Sequence, residues 1–380
     1  MLAKELEEVK DEHKKNLLLL EWESNNRFNK GVRHHLAGEY LDASEEYGVA
    51  TILNPRNSEA FCNWGTVLME LAKTKFGSEA EALYKEAIDK YQEAIKNKPD
   101  DYETYNNWGT ALSDLAKTKS GIEAEKLYDE AIEKYQKAIE YKPDYYQAYY
   151  NWGTALMELA RTKSGSEAEK LYNEAFEKYQ CATEYKPDFY DAYNNWGTAL
   201  SGLAEIKTRS EAERLYNEAF KKYQNAIDYK SDYHEAYYNW GVALMELART
   251  KSGSEAERLY NEAFKKHQKA IDYKSDYYQA YNNWGTALSD LAKTKSGSEA
   301  EELYDKAFEK FQQAIKYGGG SYNLACLYAL RNRKEEALKY LDRTLSRGEV
   351  SEKLVEEDND WEALRDDPDF KHLLAQYRGK

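Results

Sequence analysis

Proline is scarce in this chain of 380 residues, with five in all, and cysteine is scarcer, with three. So few prolines, set against 32% charged residues, leave room for something regular and mostly helical. Cys62, Cys181 and Cys326 are odd in number, far apart and without C-x-x-C spacing. That excludes a disulfide framework or a cysteine zinc site and points to a reducing, cytoplasmic setting. Long apolar runs are missing too. The run Leu17–Leu20 is too short for a signal-peptide core or a membrane span, so no membrane is expected. Basic residues are outnumbered, and a net charge of −15 argues against nucleic acid as a partner, because phosphate binding draws on Lys and Arg. A neutral or basic protein suits that charge better. The stretch Gly318–Gly320 lacks the Lys-Ser/Thr of a phosphate loop and reads as a linker. His34 and His35 are adjacent, hence on different helix faces, and the other histidines fall in unrelated contexts. No catalytic residue, metal site or cofactor is assigned, and no enzyme is expected.

What the chain has is repetition. The string YNNWGTALSDLAKTKSG fills Tyr105–Gly121 and returns unchanged at Tyr281–Gly297. Trp64, Trp108, Trp152, Trp196, Trp240 and Trp284 follow one another at intervals of 44 residues, and each precedes a glycine. Periodicity of this size means units that bury their apolar faces on one another. Each unit reads as two helices. Asp144 with Gln147, and Asp232 with Glu235, read as N-caps opening helix A, which runs through Tyr149, Trp152 and Leu156. Gly165 reads as its stop, with Arg161 and Lys163 at the negative end of the helix dipole. Ser166 with Glu169 reads as the capping box of helix B, repeated at Ser78/Glu81, Ser210/Glu213, Ser254/Glu257 and Ser298/Glu301. Helix B carries Leu171, Ala175, Tyr179 and Ala182 and stops before Pro187.

At these residues the chain resembles the tetratricopeptide repeat family, in which a small residue on helix A faces small residues on helix B and a proline closes the unit. The matching residues of the third unit are Tyr105, Trp108, Gly109 and Leu112, then Ala131, Tyr135, Ala138 and Pro143. The Pro-Asp linkers favour this family over the related Sel1-type array. The resemblance spans residues 24–350 and implies an all-α fold, a right-handed superhelical α-solenoid of helix pairs. Family units are usually shorter than these, and the extra residues lie between the two helical signatures. Helix B should therefore reach ~20 residues and ~30 Å. The expected division is a capping helix over 1–23, an ordinary unit over 24–57, six enlarged units over 58–317, a final unit over 318–350 and a cap over 351–380.

In the family, helix A lines the concave face. The tryptophans read as core. The residue before each of them is always asparagine: Asn63, Asn107, Asn151, Asn195, Asn239 and Asn283, joined by Asn29 and Asn323 in the diverged end units. A carboxamide offers an acceptor and two donors, so a column of them matches the backbone of an extended peptide. The family contains ladders of this kind, including the one attached to the O-linked N-acetylglucosamine transferase. The competing reading is that each Asn bonds a neighbouring helix or loop, or merely sits in water. Two turns further on, Glu70, Asp114, Glu158, Glu246 and Asp290 form an acidic row that favours a basic peptide. Tyr150 and Tyr238 alternate with Asn106, Asn194 and Asn282, a surface period of 88 residues read as alternating pockets. The family's dicarboxylate clamp needs Lys and Arg on these faces, and only Arg27 is near such a place. Lys117 with Lys119, Arg161 with Lys163, and Lys293 with Lys295 offer a basic stripe for anionic partners, unless they serve the helix ends. The expected function is a non-enzymatic scaffold that binds an extended protein segment. The alternative is a homo-oligomer assembled through the enlarged edge or the terminal helices.

Overall fold

The computed structural model describes residues 2–378 and contains helices and turns, with no strand among the described residues. It divides into two compact halves, 1–188 and 189–380. The first half holds α1 (Leu2–Leu36), α2 (Tyr40–Leu53), α3 (Ser58–Lys73), α4 (Gly77–Asn97), α5 (Tyr102–Ala116), α6 (Gly121–Tyr141), α7 (Tyr146–Arg161) and α8 (Gly165–Tyr185). The second holds α9 (Tyr190–Glu205), α10 (Arg209–Tyr229), α11 (His234–Arg249), α12 (Gly253–Tyr273), α13 (Tyr278–Lys293), α14 (Gly297–Lys316), α15 (Tyr322–Leu330), α16 (Lys334–Ser346), α17 (Glu352–Glu357) and α18 (Pro368–Ala375). A short 3-10 helix lies at Asn359–Leu364.

Odd-numbered helices through α15 are A helices and their even-numbered successors are B helices; within each half every A packs on its own B and, where one precedes it there, on the B before it. In the enlarged units, B helices run to 21 residues against 16 for most A helices. Neighbouring A helices also meet one another directly, as α5 does with α7 and α11 with α13, whereas neighbouring B helices touch marginally at most. Within each half the A helices therefore line the inner side of the curve.

The glycine after each tryptophan sets the spacing of the pair. A Cβ on Gly109 would lie 2.7 Å from the Tyr135 ring, so the B-helix tyrosine lies directly on the A-helix backbone. The small residue of helix A thus faces a large aromatic, where a second small residue was expected. Tyr91, Tyr179 and Tyr223 repeat the contact, His267 takes the place in α12 and Phe311 in α14. More of the tyrosine closes the base of each pair: Tyr105 stacks on Tyr141 at 5.8 Å, and Tyr193 on Tyr229 at 5.6 Å. The tryptophans are core or half-buried, and each carries its own unit's lysine on one face, from 3.1 Å (Lys222 on Trp196, Lys266 on Trp240) to 4.5 Å (Lys134 on Trp108). Such cation–π contacts stabilise by about 0.5–2 kcal/mol.

The caps differ from those expected. Most A helices of the enlarged units end at a threonine whose hydroxyl donates back to the helix, as Thr162 does to the Leu159 carbonyl at 2.8 Å, whereas α9 ends at Ile206. Gly165, with φ of 57°, opens α8 instead of stopping α7. The expected Ser-Glu boxes do not form, because the helix starts two residues too early for Ser166 to cap it. Helices α7 and α11 likewise begin after Tyr145 and Tyr233, one residue beyond the Asp caps expected, with no side-chain cap. At the N-terminus α1 runs unbroken across residues 23 and 24, where the sequence reading placed a boundary.

Candidate functional site

The asparagine column lies along the A helices, and its amide groups reach sideways. Asn151 Nδ2 donates to Asn106 Oδ1 at 2.9 Å, Asn239 Nδ2 to Asn194 Oδ1 at 3.0 Å, and Asn283 Nδ2 to the Tyr238 hydroxyl at 2.9 Å. Each bond joins an A helix to the one before it. The donor is the ladder Asn, and the acceptor is the residue that precedes the ladder Asn of the previous unit. The alternation of Asn and Tyr at that preceding position therefore supplies two forms of one acceptor. Asn106 and Asn194 are buried and donate in turn to Asn107 Oδ1 (3.3 Å) and Asn195 Oδ1 (3.1 Å). Asn282 is the exception, its buried Oδ1 having no partner. The carbonyl oxygens of Asn151, Asn239 and Asn283 accept no hydrogen bond within the described residues. Asn63 is half-buried on α3, Asn323 half-buried on α15 and Asn29 exposed on α1.

Tyr150 lies with its ring 6.2 Å from Tyr179. Tyr238, besides accepting from Asn283, packs at 5.1 Å from Tyr277 and 6.1 Å from His267. The acidic row is matched by bases three residues on: Glu70 with Lys73 (2.6 Å), Asp114 with Lys117 (2.7 Å), Glu158 with Arg161 (2.9 Å), and Glu246 with Arg249 (2.5 Å). Arg249 also reaches Asp290 of the next unit at 2.7 Å. The carboxylates are thus locally compensated, and burial raises the Glu246 pKa above its ordinary range. The basic stripe is compensated as well. Lys163 bridges Glu125 of the preceding B helix (2.7 Å) and Glu167 of its own (3.1 Å). Lys119, Lys251 and Lys295 do the same between Glu81 and Glu123, Glu213 and Glu255, and Glu257 and Glu299. The glutamates expected in capping boxes are therefore rungs between units, and the stripe is not open to anions. Arg27 is held by Glu23 and Glu46.

In the second half the inner face closes at its end. Lys293 on α13 holds Asp360 at 2.6 Å, the Tyr322 hydroxyl donates to Asp358 at 2.7 Å, and Trp361 is fully buried and donates to Tyr322. A cavity of about 480 Å³ remains beneath, lined in part by Arg249, Ser289, Asp290, Asn323 and Asp358. A cap was expected over 351–380, but the sequence does not disclose this return over α13. No helix among the described residues is long and apolar enough to cross a membrane.

Comparison with known proteins bears on the repeated pairs. The family model described as plant specific mitochondrial import receptor subunit TOM20 matches residues 95–195 and 228–323, just over half of the chain, and a tetratricopeptide repeat model matches 322–351. The chain belongs to that TOM20 family, within the tetratricopeptide repeat proteins. Each of the two TOM20 matches covers about two enlarged units. No curated protein matches this tetratricopeptide repeat chain. Among solved structures, a tetratricopeptide repeat protein from Parabacteroides merdae is 14% identical with a TM-score of 0.52, over 78% of this chain and 94% of that one. YrrB, titled a TPR protein with an unusual peptide-binding site, is 19% identical with a TM-score of 0.38, over 60% of this chain and 96% of that one. At such identities the likeness concerns the fold alone.

Proposed function

We propose that this tetratricopeptide repeat protein is a non-enzymatic scaffold that takes an extended segment of another protein along its A helices. The observation that carries the reading is the arrangement of the ladder. Donation of each amide to the neighbouring unit holds the A helices in register, and Asn151, Asn239 and Asn283 keep their carbonyl oxygens for a ligand's backbone N–H groups. Each such bond contributes about 0.5–1.5 kcal/mol net, so affinity depends on the number of units engaged. A basic segment suits the net charge of −15, whereas Glu70, Asp114, Glu158, Glu246 and Asp290 contribute little selectivity because each has its own base. The matched family is that of an import receptor subunit, which agrees with receipt of a polypeptide. The three free thiols agree with a reducing compartment, the cytoplasm.

The test is selection of peptides from a random extended library on the full chain, followed by titration of the selected peptides against Asn151→Ala and Asn239→Ala variants shown to be folded. Each substitution should weaken binding about two- to twelve-fold, the equivalent of one hydrogen bond. Failure to select any peptide, or equal affinity of both variants, would contradict the reading.

A further inference from the structure

The turn between α1 and α2 brings together one histidine and two carboxylates. His34 lies in the last turn of α1, Glu39 immediately precedes α2 and Asp42 is in its first turn. One ligand atom from each of the three lies within 4.8 Å of the others, and His34 Nδ1 is 2.5 Å from Glu39 Oε2. The chain has 69 acidic residues, yet among the described residues this is the one group of three His, Cys, Asp or Glu side chains that converges in this way. The turn is hydrogen-bonded: the Glu39 amide donates to the His34 carbonyl at 2.9 Å, and Gly38 takes φ of 76°, which suits glycine. The three side chains therefore project from two adjoining helix ends.

Charge gives a second argument. Many carboxylates of the repeats are matched by Lys or Arg, as in the lysine rungs above. Glu39 and Asp42 carry two negative charges into one place, and no Lys or Arg forms a salt bridge with either among the described residues. Two carboxylates side by side repel unless a cation lies between them. An imidazole with two carboxylates is a donor set for a divalent ion of the zinc class.

We propose that His34, Glu39 and Asp42 bind one such ion, which fastens α1 to α2 and leaves a coordination position open to water or a partner's side chain. The spacing of His34 and His35, which excluded a histidine pair, did not disclose the carboxylates across the turn. The ligand atoms are close enough that side-chain rotation alone brings them to metal–ligand distances of about 2.0–2.2 Å.

The test is calorimetric titration of the full chain with Zn²⁺, and with Co²⁺ as a spectroscopic probe. The expected result is one equivalent bound, a Co²⁺ ligand-field spectrum, and a loss of affinity of at least ten-fold in His34→Ala and in Asp42→Asn, with His35→Ala unchanged. All three side chains are partly or fully exposed, and circular dichroism checks that the variants fold. Absence of binding at millimolar Zn²⁺, or equal affinity in His34→Ala, would overturn the proposal. Equal loss in His35→Ala would also overturn it by moving the ion elsewhere.

Discussion

His267 should make this protein sensitive to acid. It occupies the place of a tyrosine in four other enlarged units, directly against the Gly241 backbone, where a Cβ would be 2.6 Å from its ring. It is fully buried, and neither ring nitrogen has a hydrogen-bond partner. In the units of Tyr91 and Tyr179 the hydroxyl meets Thr66 or Thr154, but here the corresponding residue is Val242. Burial accordingly pushes the imidazole pKa from 6.5 down to about 3. The unfolded chain binds this proton below about pH 6.5 and the folded chain does not. Stability is therefore complete above pH 6.5 and is lost as pH falls toward 3. Each pH unit in that window removes about 1.4 kcal/mol, so a change from pH 7.5 to pH 5 should destabilise the fold by about 2 kcal/mol from this one group. The control is His267→Phe, because Phe311 already fills the equivalent place against Gly285. Urea unfolding at both pH values, with hydrogen exchange on α11 and α12, measures the difference between the two proteins. All other titrating groups cancel in that difference. Equal pH dependence in wild type and His267→Phe would refute the reasoning, because it would mean that the histidine finds a partner or opens to water.

Further outcomes follow from the packing. Gly109→Ala should destabilise by about 1–3 kcal/mol in thermal unfolding, because its Cβ cannot fit against Tyr135 without moving a helix. Asn151→Ala should cost about 1–3 kcal/mol of stability even without ligand, because it strands the buried Asn106 Oδ1; denaturant titration checks this. Lys163→Met breaks two surface ion pairs and should lower the thermal midpoint only slightly, a loss that shrinks in high salt.

The architecture was plain in the sequence because repetition multiplies the signal. Six Trp-Gly pairs at one spacing fix the helix pair, and the extra residues between Trp and the B-helix alanines foretold the long B helices. Capping was misread for a physical reason. Ser-x-x-Glu is also what a surface carboxylate looks like when its partner is a lysine of the next unit, and a pairing about 38 residues away leaves no local mark. The candidate site was half legible. The asparagine column was visible, but its sideways donation depends on how close successive A helices approach, which leaves no mark in the local sequence. The alternation of Asn and Tyr was also visible, and only geometry shows that both serve as the acceptor of one bond. The carboxylates that meet His34 lie across a turn, where helical spacing does not apply.

The central claim is that the inner face of A helices receives a polypeptide. Hydrogen exchange of the full chain with and without a selected peptide tests it most directly. The account predicts added protection along α5, α7, α11 and α13, strongest around Asn151 and Asn239, with α6, α8, α12 and α14 little changed. Protection confined to the B helices, or none at saturating peptide, would contradict it.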